Sequence, residues 1–343
     1  MKAIRFYDKG DIRIEEVPEP TPNEHMVLLR IASVGLCGSD IHYYKEGGTG
    51  SLKVDQPLIL GHEFSAWVES GPNKGILAAV EPALSCGQCE FCLEGNPNLC
   101  ERIKFAGSED TDGALQEYLL WPEHNIFPMP PGISPQQAAF LEPLGVAIHA
   151  VNLGKIQPGM DVGVLGTGPI GLLTIQTAKL AGAARIFATD KLGHRLEFAQ
   201  ECGATDLLLA DGNEHHQILK ATNGRGLDVV FEAAGDDGSA VETAVQIAKR
   251  GAAVVLVGIP SKDETTFTAS TARRKGLTIK VSRRMKNTYP TAIRLLTHHM
   301  VNLDSLITHQ FPMDDYKKAF EVAASRQGIK VFINLAVDKE NWG

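Results

Sequence analysis

The chain has 343 residues, enough for two domains with separate cores; with 43% apolar and 22% charged residues and 34 glycines, it reads as a globular α/β enzyme rather than a disordered polymer. A formal net charge of -8 argues against a nucleic-acid footprint, which requires a basic face. Residues 1–10 are charged and alternating with no apolar signal core, and the most apolar stretch, 162–184, is broken by glycines, Pro169 and Lys179, so a cytoplasmic protein without a membrane span is expected.

Residues 1–35 alternate apolar and polar positions, as in Lys2-Ala3-Ile4-Arg5-Phe6 and Val27-Leu28-Leu29-Arg30-Ile31, with the turn-rich Pro18-Glu19-Pro20-Thr21-Pro22 between them. The chain is therefore expected to begin as β structure. Gly35-Leu36-Cys37-Gly38-Ser39-Asp40 comes next, and Gly61-His62-Glu63 follows at a second turn. Thiolate, imidazole and carboxylate are all zinc ligands, but taken alone these residues read more often as core residues with satisfied partners.

Cys86, Cys89, Cys92 and Cys100 leave two, two and seven residues between neighbours, with Gly87, Gly95, Asn96, Pro97 and Asn98 supplying turns. Two-residue gaps let a turning backbone place successive sulfurs about 2.3 Å from one tetrahedral ion. In an intracellular enzyme such a cluster favours metal over disulfides. Because protein fills all four positions, a structural zinc without room for substrate is expected.

From residue 161 the pattern becomes short apolar strands separated by amphipathic segments of helix length, the signature of βαβ units and a parallel sheet. Strands are predicted at 162–165, 185–189, 206–209, 228–232, 252–257 and 277–281, enough for a doubly wound sheet. Helices at 289–300 and 314–325 and a strand at 330–335 do not extend the alternation and are expected to rejoin the first domain. The domains are thus 1–150 with 286–343, including a zinc lobe at 84–104, and 151–285.

Gly166-Thr167-Gly168-Pro169-Ile170-Gly171 follows a predicted strand and opens a predicted helix, the context that gives a Gly-x-Gly-x-x-Gly fingerprint its meaning. Gly166 permits the tight turn, Gly168 lets the backbone approach a pyrophosphate, and Gly171 allows close helix-to-strand packing, while the helix N-terminus attracts the anion. Asp190 ends the next strand, where a carboxylate accepts hydrogen bonds from an adenosine ribose and repels a 2'-phosphate, favouring NAD over NADP. Lys191 and Arg195 pull against that preference. Cys202, on a predicted helix end, is expected to be buried and inert.

Cys37, Gly61-His62-Glu63, the four-cysteine lobe and the dinucleotide fold, in this order, resemble the zinc-containing medium-chain dehydrogenase/reductase family over nearly the whole chain. Cys37-Gly38-Ser39-Asp40-Ile41-His42-Tyr43-Tyr44, Glu142-Pro143-Leu144-Gly145-Val146-Ala147-Ile148-His149-Ala150 and Asn287-Thr288-Tyr289-Pro290 look most like its polyol branch: sorbitol, xylitol and L-iditol dehydrogenases, with L-idonate dehydrogenases as neighbours. The resemblance implies a GroES-like β-rich catalytic domain joined to a Rossmann NAD-binding domain, two zinc ions per subunit and a homotetramer. It implies that Cys37, His62 and Glu63 hold the catalytic zinc, with Glu142 binding it directly or through water where alcohol dehydrogenases place a cysteine. By the same matching Tyr43 and Arg284 face polyol hydroxyls, Ser39 and His42 relay a proton, and Ile170, Asp190, Arg195, Val257, Gly258 and Ile259 line NAD. Zinc in such enzymes lowers the pKa of an alcohol oxygen toward neutrality, and hydride passes from the carbinol carbon to NAD, leaving a ketose.

Two departures stand out. Between residues 69 and 81 the family usually has a longer connection with a Gly-Asp-Arg-Val turn; the shorter loop here is expected to rearrange a β hairpin beside the lobe and to lower stability. At Arg283-Arg284-Met285, sorbitol dehydrogenases commonly carry an aromatic beside the arginine, so a different set of substrate oxygens would be recognised. The enzyme rival is an L-threonine 3-dehydrogenase, which differs at the segment matching Glu142-Pro143-Leu144. A nonenzymatic NAD-responsive binding protein has no need of an open metal site, and a nucleic-acid-binding zinc module conflicts with the acidic charge.

Overall fold

The computed structural model describes every residue except 24, 25, 50, 51, 54, 55, 109, 236, 237, 261–263 and 336–343, so the last eight residues of the expected 286–343 segment lie outside the described residues. The chain divides into two compact units: Met1–Glu142 with Tyr289–His299 and Leu303–Gly343, and Pro143–Thr288 with Met300–Asn302. The divisions fall beside residues 142 and 288 because the helix Leu141–Gly154 belongs almost wholly to the second unit. A Cβ at Gly145 would lie 2.7 Å from the Met285 sulfur, and one at Gly154 would lie 2.6 Å from the Phe231 ring. Small residues on this helix therefore let it press against the second unit's own strands and loops.

The first unit is built on a seven-stranded sheet in the order Ile126–Pro128, Leu77–Val80, Glu63–Val68, Val27–Gly35, Lys330–Asn334 and Ile307–Pro312, with Tyr118–Trp121 also paired to Val27–Gly35. Val27–Gly35 buries most of its residues because it is central, and its core neighbours include Leu29, Ile31, Val34, Phe64, Trp121, Phe320 and Ile333. Ile307–Pro312, which the sequence pattern does not predict, runs parallel to Lys330–Asn334, with His309 opposite Val331. The shortened connection closes as a hairpin: Ser65 faces Ala79 and Trp67 faces Leu77, and the Gly75 amide returns to the Val68 carbonyl at 2.8 Å. Gly71 and Gly75 take φ of +81° and +84° in that turn, a conformation glycine adopts without strain, so the hairpin is kept rather than rearranged.

The second unit carries six parallel strands in the order Asp206–Leu209, Arg185–Asp190, Asp161–Leu165, Leu227–Glu232, Ala248–Leu256 and Thr278–Val281. All five ladders are parallel. Numbered along the chain this order is 3-2-1-4-5-6, and the switch point lies beside Asp161–Leu165, where doubly wound sheets bind ligands outside the strands' carboxyl ends. Among the described residues no helix is long and apolar enough to cross a membrane.

Candidate functional site

Cys37 follows the central strand of the first unit and is the N-cap of the helix Gly38–Glu46; His62 and Glu63 follow Gly61, whose φ of +94° turns the chain into the strand Glu63–Val68. One ligand-capable atom each from Cys37, His62 and Glu63 lies within 4.8 Å of the others. Asp40 braces two of them. One carboxylate oxygen accepts the Cys37 amide at 2.8 Å and the other lies 3.9 Å from His62 Nδ1. The Phe105 ring packs against the His62 ring at 5.1 Å between centroids. Glu63 is ion-paired with Lys330, a residue that the sequence reading did not single out.

Glu142, in the first turn of the helix Leu141–Gly154, stands outside that three-residue donor group but inside its electrostatic field. Burial raises its carboxyl to about 8 against the opposing pull of His62, with the charges of Glu63 and Glu81 adding to the rise. Burial and the Glu63 charge likewise hold the Cys37 thiol far above its ordinary value, and burial raises Asp40. Asp40, Glu63 and Glu142 are thus crowded out of water beside the half-buried Cys37, with Lys330 as the lysine among them. A divalent cation fits that set: it supplies the missing positive charge to a thiol, an imidazole and a carboxylate, and three protein donors leave one position open.

The remaining expected residues of this region are placed unevenly. The Ser39 hydroxyl hydrogen-bonds the Cys37 sulfur, and His42 Nδ1 lies 3.3 Å from the Glu46 carboxylate one helical turn away, partly exposed. Tyr43 is only 4% exposed and packs edge-on to Phe6 at 5.8 Å, so its ring is a core element. Arg284 belongs to the second unit, with a left-handed φ of +53° in a turn where Asn287 also takes +50°. Tyr289, part of the motif used for the polyol resemblance, is an anchor of the first unit: its hydroxyl donates to the Val80 carbonyl at 2.6 Å and its ring stacks on Phe127.

The lobe gathers the sulfurs of Cys86, Cys89, Cys92 and Cys100 within 4.8 Å of one another. A short antiparallel ladder closes its neck, with Leu84 opposite Lys104 and Ala83 opposite Phe105. Backbone amides, first that of Gln88, bring the Cys86 thiol down to about 6, and Arg102 donates to its sulfur at 3.3 Å. Burial pushes Cys92 up to about 11. Four convergent sulfurs, one already poised as thiolate, fit a closed tetrahedral metal site. Cys202, by contrast, is buried at the end of the helix Gly193–Cys202, where burial raises its thiol to about 12.

In the second unit Gly166 takes φ +89°, and a Cβ there would lie 2.6 Å from the Ala234 backbone; at Gly171 it would lie 1.9 Å from the Gly166 carbonyl oxygen. Only glycines allow this cradle, which ends at Gly168, the N-cap of the helix Pro169–Leu180, with Ile170 in its first turn. Asp190 is 8% exposed and accepts from the Thr167 amide at 2.8 Å, the Thr167 hydroxyl at 3.1 Å and the Leu192 amide at 2.9 Å. These bonds hold its carboxylate at the rim of the cradle. Arg195 reaches the same turn, its Nη1 3.5 Å from where a Gly168 Cβ would sit. Val257 and Gly258 donate their amides to the Glu232 carbonyl, and Ile259 beside them is 48% exposed. The geometry fits a dinucleotide with its pyrophosphate at the helix end.

A family model described as alcohol dehydrogenase GroES-like domain matches residues 23–131, and one described as zinc-binding dehydrogenase matches residues 169–298. A sorbitol dehydrogenase of Bacillus subtilis (strain 168) is 36% identical over 330 residues, covering 94% of this chain and 93% of that protein. D-xylulose reductase A of Aspergillus niger is 36% identical over 345 residues, covering 96% of each. Among solved structures, L-idonate 5-dehydrogenase from Escherichia coli superposes with a TM-score of 0.91 at 29% identity, over 97% of this chain and 98% of that one.

Proposed function

The chain belongs to the zinc-binding dehydrogenases with an alcohol dehydrogenase GroES-like domain, and on that premise we propose that it oxidises a secondary alcohol of a polyol of the sorbitol, xylitol or L-iditol type to a ketose, reducing NAD. The observation that carries the reading is the three-donor group of Cys37, His62 and Glu63 beside buried Glu142. Relatives described as sorbitol dehydrogenase and D-xylulose reductase support a polyol.

Cys37, His62 and Glu63 would hold the catalytic zinc, Cys86, Cys89, Cys92 and Cys100 a structural one, two per subunit. Bound zinc supplies a Lewis acid that makes an alcohol oxygen acidic near neutral pH, and NAD supplies the hydride acceptor. Asp40 keeps the Cys37 backbone and the His62 ring in position, and Lys330 keeps one side of the Glu63 carboxylate occupied. Glu142, a buried carboxyl beside the donor group, orients water or a substrate hydroxyl. Ser39 Oγ and His42 form the route by which the alcohol proton reaches solvent. Tyr43 through its hydroxyl and Arg284 through its guanidinium bind further substrate oxygens.

Gly166, Gly168, Ile170 and Gly171 cradle the pyrophosphate, Asp190 takes the adenosine ribose and disfavours a 2'-phosphate, Arg195 faces the phosphates, and Val257, Gly258 and Ile259 line the nicotinamide half. We assign the enzyme to the cytoplasm and to a homo-oligomer, a tetramer by resemblance. L-Idonate is the second substrate reading, favoured by the structural similarity to L-idonate 5-dehydrogenase.

The test is NADH formation by zinc-loaded protein with sorbitol, xylitol, L-iditol, L-idonate and L-threonine, with NAD or NADP, with and without a chelator. Chelator-sensitive oxidation of a polyol with NAD is expected. Preference for L-threonine or L-idonate would displace the polyol assignment, and no turnover by protein carrying zinc and NAD would displace the enzyme reading.

A further inference from the structure

Glu232 ends the strand Leu227–Glu232 at the carboxyl edge of the parallel sheet and is 3% exposed. A carboxylate there is costly unless its oxygens are bonded. Glu232 Oε1 accepts the amides of Ala234 at 2.8 Å and Gly235 at 3.0 Å, while its main-chain carbonyl accepts those of Val257 at 2.8 Å and Gly258 at 3.0 Å. One residue therefore holds two turns, 233–235 with its side chain and 257–259 with its backbone. The turns themselves interlock. A Cβ at Gly258 would lie 2.4 Å from the Gly235 nitrogen and 2.8 Å from Glu232 Oε1, and one at Gly235 would lie 2.6 Å from the Ile259 carbonyl oxygen. Gly166, the first glycine of the cradle, rests in turn against Ala234.

Sheet order says which part of a dinucleotide meets these turns. Asp190 ends the strand on one side of Asp161–Leu165, and Glu232 ends the strand on the other side, with Ala248–Leu256 next to it. With pyrophosphate over the Gly166 turn and adenosine ribose at Asp190, the nicotinamide half must cross the switch point and lie over Glu232 and 257–259. Exposed Ile259 offers an apolar surface there for a flat ring.

Resting on the NAD reading above, we infer that Glu232 is a positioning residue for the nicotinamide half of the cofactor: its buried carboxylate locks the 233–235 turn against 257–259 and so fixes the wall that receives the ring. Removing the carboxylate takes the acceptor from the Ala234 and Gly235 amides and opens a void beside Gly258. The adenosine side, held by Asp190 and the cradle, keeps its own bonds.

The experiment titrates zinc-loaded wild type, Glu232→Ala, Glu232→Gln and Gly258→Ala with NADH, followed by its fluorescence, and with ADP-ribose, followed by calorimetry. Glu232→Ala and Gly258→Ala are expected to weaken NADH binding about tenfold, the scale of one lost hydrogen bond to a charged group, with ADP-ribose affinity held within about twofold. Glu232→Gln, whose amide oxygen still accepts both N–H groups, should recover most of the NADH affinity. Equal loss of NADH and ADP-ribose in the variants, or no loss in either, overturns the role of Glu232. Wild type that binds neither ligand overturns it together with the NAD reading, whereas wild type that binds both isolates the question to Glu232. Should Glu232→Ala fail to fold, Glu232→Gln and Gly258→Ala give the same discrimination.

Discussion

Lys330 and Glu63 meet across Gly35. Their strands flank the central strand Val27–Gly35, whose last residue is opposite Glu63 on one side and Phe332 on the other. A Cβ at Gly35 would lie 2.7 Å from Glu63 Oε2 and 2.8 Å from the Lys330 Cε, so the pair fills the space that a side chain would need. Lys330 also donates to the Leu36 carbonyl at 3.0 Å and stands 5.7 Å from the Phe140 ring. At 1% and 2% exposure the pair has given up its hydration, and a buried pair of this kind contributes arrangement more than net stability.

Lys330→Met should therefore be most harmful when metal is absent. With the lysine gone, Glu63 is left as an uncompensated buried charge, a cost of about 3–5 kcal/mol, which a bound cation would offset. Thermal melts with and without chelator should show a larger gap between wild type and variant in the chelated protein; an equal gap in both conditions would refute the idea that lysine and metal share this carboxylate. Gly35→Ala is expected to disturb the same pair and to lower zinc content.

Cys89→Ser should remove one of the two zinc ions proposed above. Its sulfur lies 3.5 Å from that of Cys92, and among the described residues only Cys86, Cys89, Cys92 and Cys100 form that four-sulfur group. Native mass spectrometry should find a single zinc, with a melting temperature lower by on the order of 10 °C. Retention of two ions would refute the closed-lobe assignment. Protons compete with zinc for all four thiolates, so zinc retention by the lobe should weaken progressively as the pH falls.

Asp190→Ser should relax the choice of cofactor. The carboxylate that would repel a 2'-phosphate disappears, while serine keeps one acceptor for the Thr167 and Leu192 amides. The ratio of kcat/KM for NAD to that for NADP should fall by about tenfold to a hundredfold. An unchanged ratio would remove Asp190 from the specificity argument.

Acid stability should depend on Asp228. Burial alone would raise its carboxyl, but hydrogen bonds from Arg225, Lys249 and the Asp161 amide bring it down to about 2, from an ordinary value of 3.8. A depressed carboxyl stabilises the fold above its unfolded-state value, and that contribution disappears as pH drops from about 4 through 2. Asp228→Asn should cost about 2 kcal/mol at neutral pH, and its deficit relative to wild type should shrink across that window. Urea unfolding at a series of pH values measures the difference directly; a deficit constant down to pH 2 would contradict the assignment.

What could be read from the sequence was what short spacing encodes. The four lobe cysteines, the Gly166 cradle and the six strands of the second unit each announce themselves within a few residues, because turn geometry and strand period are local. Lys330 does not. In the sequence it reads as the start of a last strand, and only the pairing of Lys330–Asn334 with a strand about 300 residues earlier turns it inward onto Glu63. Ile307–Pro312 was missed for a related reason: its exposed and half-buried positions do not alternate, and it is a strand because Lys330–Asn334 offers it an edge. Tyr43 is a different case: family likeness points to a substrate contact through its hydroxyl, and the packing of its ring against Phe6 is a tertiary contact that no local spacing announces.

Phe105 belongs at once to the neck of the lobe, opposite Ala83, and to the wall against which His62 rests. For anyone grafting, trimming or exchanging the lobe as a module, the cut cannot be made at the neck itself. A graft that ends before Phe105 keeps the ring behind His62, and one that replaces it carries a foreign surface into the donor site; the lobe's covalent boundary and its mechanical boundary are different places.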